Sequence, residues 1–276
     1  MGSCNSLFNV VGKKVAITGG AGVLCGTMAR GLAAAGADVC VIDMNLDAAK
    51  AICEEINALG AGRAFPVAAN VLDRKAVVAA FEACVANMGC VDILINGAGG
   101  NKKEATCVPP ESFFFDLDPE AVRWVFDLNC IGTILPSQIF GEHLAERGEG
   151  VIINISSMNA FTPLTRIAAY SAAKAAISNF TQWLSTYMCQ NHSTTIRVNA
   201  IAPGFFLTEQ NRFLLTDEAG DLTPRGEQIV AHTPMGRFGQ ADELLGTLQW
   251  LVSDAAKFVT GIVVPVDGGF SAYSGV

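Results

Sequence analysis

Apolar positions along the chain fall into two alternating patterns. Short unbroken apolar runs occur at KKVAIT (13–18), DVCVID (38–43), RAFPVAAN (63–70), VDILINGAGG (91–100), GVIINISS (150–157), TTIRVNAIAPG (194–204) and GIVVPVDGG (261–269). Runs without in–out alternation read as strands buried on both faces. Between them, 23–35, 45–60, 73–89, 117–146, 168–190 and 241–253 carry helical spacing, several closing on glycine. Strands that alternate with helices pair in parallel through right-handed crossovers. The pattern predicts an α/β chain: a single-domain doubly wound (Rossmann) fold of about seven parallel strands flanked by helices. No Pro-, Gly- or Ser-rich linker divides residues 1–276, and no repeat is visible. The polar stretch 205–239 is expected to cover a substrate.

Composition narrows the partners. No apolar run approaches the roughly 20 residues that span a membrane. With 18 basic against 26 acidic residues the net charge is −8, which disfavours nucleic acid. It leaves room for a local basic pocket that takes a small anion. Nine cysteines without a CxxC pair suggest free thiols in a reducing, cytoplasmic setting. The start MGSCNS matches a myristoylation pattern, one short enough to arise by chance. His143, His192 and His232 are scattered, so no catalytic metal is expected.

The first chemistry lies in the turn after the first strand. Gly19, Gly20 and Gly22 let backbone approach a pyrophosphate, and the helix start at Val23 and Leu24 offers free amides and a positive dipole end. GAGVLC fits GxGxxG only with Cys25 in the last glycine's place. Asp43 ends the second strand 23 residues after Gly20, where an acid binds adenosine ribose hydroxyls. Its charge repels a 2′-phosphate, and no Arg or Lys stands in the turn to offset it, so NAD is expected over NADP.

The second chemistry is YSAAK. Tyr170 and Lys174 are four residues apart and share a helix face. A lysine there is expected to pull the phenol pKa down from about 10 towards neutrality, suiting acid–base work. Ser157 ends a strand 13 residues earlier, where its hydroxyl would hold a carbonyl oxygen. NGAG (96–99) and Pro203-Gly204 end strands on the same edge.

With these pieces the chain resembles the short-chain dehydrogenase/reductase family. The matching motifs are TGGAG, Asp43, NGAG where the family often has NNAG, Asn129 in NCIG, Ser157, YSAAK, PGFFLT and VDGG, in family order from 13 to 269. The resemblance implies NAD(P)-dependent hydride transfer. Tyr170 would be the acid/base, and Lys174 would hold the ribose and tune Tyr170. Ser157, with Ser156 as the alternative, would fix the substrate oxygen, and Asn129 would position a water. It further implies cofactor contacts from Asn70, Val71, Asn96, Gly97, Ala98, Pro203, Gly204 and Thr208. A homotetramer is implied too. The chain departs from the family's TGxxxGxG at Val23 and Cys25, with Cys25 read as a packing residue or a redox-sensitive thiol.

The segments past the strand ends are rich in amides and cations: Asn101, Lys102, Lys103, Asn159, Arg166, Gln210 and Arg212. Together with Ser157 they suit a small anionic sugar-acid substrate, with Lys102, Lys103 or Arg212 pairing its carboxylate. GGNKKEAT, SFFFDLD and APGFFLTEQNR resemble the D-mannonate oxidoreductase (fructuronate reductase) branch of the family. A 5-keto-gluconate or ketodeoxyuronate reductase, an apolar-ketone reductase and a non-catalytic NAD(H)-binding regulator are the alternatives.

Overall fold

A computed structural model describes residues 4–208, 215–217 and 219–275. Its seven strands are β1 Lys14–Thr18, β2 Asp38–Asp43, β3 Ala64–Ala68, β4 Ile93–Asn96, β5 Gly150–Ile155, β6 Ile196–Pro203 and β7 Val263–Val266. All pair in parallel, in the order β3-β2-β1-β4-β5-β6-β7. The chain begins with a single turn, α1 Cys4–Leu7, followed by α2 Val23–Ala34, α3 Leu46–Leu59 and α4 Arg74–Met88. Further on lie α5 Pro119–Phe126, α6 Gly132–Arg147, α7 Ala168–Asn191, α8 Pro224–His232 and α9 Leu245–Val252.

The unbroken apolar runs work because neighbouring strand residues point to opposite faces. Val15 and Ile17 of β1 join Met28, Leu32, Ile52, Leu248 and Leu251 in one core layer, under α2, α3 and α9. Ala16, between them in sequence, joins Cys84, Phe140, Leu144 and Met188 in the other, under α4, α6 and α7. The sheet is therefore covered on both sides.

Several boundaries differ from expectation. The run 91–100 is a strand only over Ile93–Asn96, because the glycines beyond leave the ladder to form a turn. The helix expected over 117–146 starts at Pro119, with the Asp118 side chain accepting from the Glu120 amide. It is interrupted by a π-helical turn, Asp127–Ile131. The stretch 205–239 holds a helix, α8, capped by Thr223, whose hydroxyl accepts from the Gly226 amide. No helix among the described residues is long and apolar enough to cross a membrane. No grouping of His, Cys, Asp or Glu suited to a metal occurs among them.

Candidate active site

β1 lies between β2 and β4, and the chain's winding reverses there, opening a crevice at the strands' carboxyl ends. Two turns meet in it. Gly19 adopts φ +62°, and a Cβ on it would come within 2.8 Å of Ala98 backbone, so only glycine fits. Thr18 fastens the two turns, its hydroxyl accepting from the amides of Gly97 (3.1 Å) and Ala98 (3.3 Å). Gly22 caps α2 in an extended conformation with no capping side chain, leaving the first-turn amides of Val23 and Leu24 to a ligand. The Asp43 carboxylate accepts from the Ala21 amide at 3.1 Å and the Asn45 amide at 2.9 Å, which fixes an acid beside the glycine loop. Close backbone, an uncapped helix start and a held acid together fit a dinucleotide whose ribose carries free hydroxyls.

Other expected cofactor residues sit around this crevice in different ways. The exposed Asn70 caps its own turn, accepting from the Leu72 amide at 3.0 Å. Val71 is buried and packs on Gly132. Asn96 turns its side chain into the fold, donating to Ser137 and to Asn154, each at 2.9 Å. Asn154 in turn donates to Thr181 on α7 at 2.9 Å. Its side chain being committed there, Asn96 offers the crevice its backbone alone. The Gly204 amide donates to Val266, which packs the Pro203-Gly204 turn on β7. Thr208 follows in the described chain; Gln210 and Arg212 lie outside the described residues.

Next to the crevice stand the four expected catalytic residues. Ser157 follows β5 and its hydroxyl hydrogen-bonds the phenol of Tyr170, which is half-buried near the start of α7. Ser156 instead faces α7, 3.2 Å from the Lys174 carbonyl and 2.8 Å from the Ser178 hydroxyl. Lys174 is buried, and its ammonium donates to the Ile155 carbonyl at 2.8 Å while lying 5.5 Å from the Tyr170 ring centre. Asn129, fully buried in the π turn, donates to the carbonyls of Gly100 and Val125, each at 2.7 Å. A Cβ on Gly99 would touch both Asn129 Oδ1 (2.7 Å) and Lys174 Nζ (3.2 Å), so glycine there lets the two groups close on one another.

Electrostatics correct one expectation. Burial pushes the Tyr170 phenol up to about 12, against a Ser157 hydrogen bond that favours the phenolate. Burial brings Lys174 down to about 8. The ammonium is turned to the Ile155 carbonyl, so desolvation outweighs any lowering of the phenol by its neighbour. The shift of Tyr170 therefore runs opposite to the expected one. Cys25 also departs from a redox reading: it is buried and its thiol is pushed up to about 12 by burial, the opposite of a reactive thiolate.

On the substrate side, Asn101 donates to Thr106 within its own loop at 2.9 Å. The Lys102 ammonium lies 4.5 Å over the Trp124 ring, and Lys103 is exposed. Asn159 is buried, and its Oδ1 has no hydrogen-bond partner among the described residues. One cation escaped the sequence reading, Arg225, because α8 lies in a stretch read as loop. Arg225 is half-buried one helical turn before Ile229, which packs with Met158 and Leu164 beside Ser157. Burial, and then the charge of Arg166, hold its pKa below the usual guanidinium range. Among the described residues neither arginine has an acidic partner in an ion pair. Thr18 was also passed over, although a hydroxyl closing the first strand was a readable signal.

The short chain dehydrogenase family profile matches residues 13–219. An uncharacterized oxidoreductase, UxuB, of Bacillus subtilis is 48% identical, over 97% of this chain and 98% of its own. The 5-keto-D-gluconate 5-reductase of Escherichia coli K12 is 32% identical over 96% of this chain and 98% of its own. A crystal structure of a proposed D-mannonate oxidoreductase from Haemophilus influenza, with bound NAD, superposes with a TM-score of 0.89. It is 46% identical, covering 97% of this chain and 98% of that one.

Proposed function

The chain belongs to the short-chain dehydrogenase family, and from that premise we propose that its substrate pair is a hexuronate-type sugar acid, D-mannonate and D-fructuronate. It is an NAD(H)-dependent oxidoreductase acting on a CH–OH/ketone pair. The observation that carries the sugar-acid reading is Arg225, a half-buried cation that feels the charge of Arg166 and has no acidic ion-pair partner among the described residues, one helical turn before Ile229, which packs with Met158 beside Ser157. A buried guanidinium calls for an anion, and a carboxylate matches its bidentate geometry. The unpartnered Oδ1 of Asn159 suits a sugar hydroxyl as donor. The relatives named above, a D-mannonate oxidoreductase and a 5-keto-D-gluconate reductase, support the same chemical class. The second of them favours 5-keto-gluconate as the alternative substrate.

In this reading Gly19, Gly20, Gly22 and the α2 amides hold the pyrophosphate, Asp43 holds the adenosine ribose, and Lys174 holds the other ribose. When bound, NADH supplies the hydride. Ser157 hydrogen-bonds the ketone oxygen, and Tyr170 gives its phenolic proton to that oxygen as negative charge develops on it. Asn129 and Lys174 guide the proton that restores the phenol. The segment 205–239, anchored by α8, covers the substrate and excludes water. The chain works as a homotetramer in the cytoplasm. The exposed aromatic stripe of α7 supports the assembly, and the free thiols among the described residues fit a reducing compartment.

The test is loss of NADH absorbance with D-fructuronate, repeated with 5-keto-gluconate, with NADPH, and with Tyr170→Phe and Arg225→Gln. The expected outcome is turnover with fructuronate and NADH. Tyr170→Phe should reduce it at least about a hundredfold. Arg225→Gln should raise KM about tenfold with a smaller effect on kcat. Turnover of neither keto acid while NADH still binds would overturn the substrate assignment.

A further inference from the structure

Cys25 and Gly97 depart from the family pattern at two places 72 residues apart in sequence, and in the fold they meet. Cys25 lies in the first turn of α2, directly after the dinucleotide loop; Gly97 follows β4. A Cβ built on Gly97 would fall deep inside the Cys25 sulfur, while staying 3.5 Å from the Cys25 Cβ, an ordinary contact. The deepest collision is with the sulfur; the Thr18 carbonyl oxygen, at 2.9 Å, is a second and shallower one. Gly97 is also the residue whose amide donates to Thr18, so the contact lies within the fastening between the two turns. Cys25 is buried and belongs to the core layer that includes Ile17, Met28 and Ile95.

We propose that Cys25 is a positioning residue for the cofactor: its sulfur takes the volume that a side chain at 97 would fill, and sets the separation of the β1–α2 loop from the β4 turn. A glycine at 25 with glycine at 97 would leave a void at the crevice wall. A cysteine at 25 with any side chain at 97 would push the turns apart. The two departures therefore form one reciprocal substitution, and the thiol acts by shape rather than by reactivity.

The volume is moved from one residue to the other in the variants Cys25→Ala, Gly97→Ala and the pair C25A/G97A. Two quantities are measured for each: NADH affinity by fluorescence titration, and the thermal midpoint with and without saturating NADH. Gly97→Ala should weaken NADH about tenfold or more and shrink the NADH-induced rise in midpoint. Cys25→Ala should weaken it by about threefold, and the double variant should bind NADH at least about threefold more tightly than Gly97→Ala, the remaining loss coming from the Thr18 carbonyl, a non-additive cycle. If Gly97→Ala does not fold, a soluble double variant that binds NADH gives the same support. Additive losses, a double variant that also fails to fold, or a Gly97→Ala protein that binds NADH like wild type would each overturn the proposal. So would a fall in the cofactor-free midpoint with NADH affinity unmoved, since that is packing without positioning. The proposal rests on NADH binding at this crevice, and a wild-type protein that failed to bind NADH would instead sink that premise.

Discussion

Tyr170 and Lys174, the proposed catalytic pair, are arranged by where their polar ends are turned as well as by sequence spacing. Four residues on a helix brought them onto one face, as YSAAK foretold. Which partner the ammonium meets depends on the Ile155 carbonyl at the end of β5, and nothing local to YSAAK encodes that. Keeping a buried cation with a pKa near 8 carries a stability cost. Its sign follows from linkage: the folded value lies below the unfolded one, so the cost is present in full below about pH 8 and disappears as pH rises to the ordinary lysine value near 10.4. Lys174→Met should therefore abolish turnover yet stabilise the protein by about 1–3 kcal/mol at neutral pH. Thermal melts across this range check it; the gain should fade towards the alkaline end. A destabilised Lys174→Met at neutral pH would show the Ile155 hydrogen bond outweighing desolvation.

Strands and long helices were legible because their pattern is decided by burial on two faces, which continuous apolar runs report directly. Glycine stops were legible too, as with Gly60, which ends α3 at φ +71°. The π turn around Asn129 and the short helix α8 were not, since both depend on tertiary contacts rather than on local spacing. Asp38 is another feature of this kind. It opens β2 and reaches both neighbours, with Lys14 of β1 and Arg63 before β3 each at 2.6 Å. Its hydrogen bonds to Arg63 hold the carboxyl well below the usual range, despite burial. Asp38→Asn should cost about 1–3 kcal/mol at neutral pH. Because the folded pKa is depressed, wild type holds its advantage above the unfolded carboxylate pKa near 4 and loses it as pH falls further towards the folded value. Urea unfolding at neutral and acid pH measures both parts; an equal difference at the two pH values would exclude the carboxylate as the cause.

At the scale of the molecule, strand order places the glycine turn, Asp43, Ser157 and the NGAG turn at the carboxyl ends of the strands, and this much followed from the alternation of elements. What surrounds the subunit did not. Along α7, Phe180, Trp183 and Tyr187 stack in sequence, with ring centres 6.2 and 5.1 Å apart, and Trp183 is 57% exposed. Such a stripe suits the same face of a second copy. If the proposed tetramer uses this face, Trp183→Glu should give a smaller species than wild type in light scattering after size exclusion, with the fold intact by circular dichroism. An unchanged mass would remove α7 from the interface.

The amide chain from Asn96 through Asn154 to Thr181 has a mechanical meaning. It couples the floor of the crevice to the helix that carries Tyr170, through side chains that are themselves buried. In the proposed reaction, the helix that brings the proton donor would keep its distance from the crevice through a crossbar buried beneath the loops, whatever substrate those loops take.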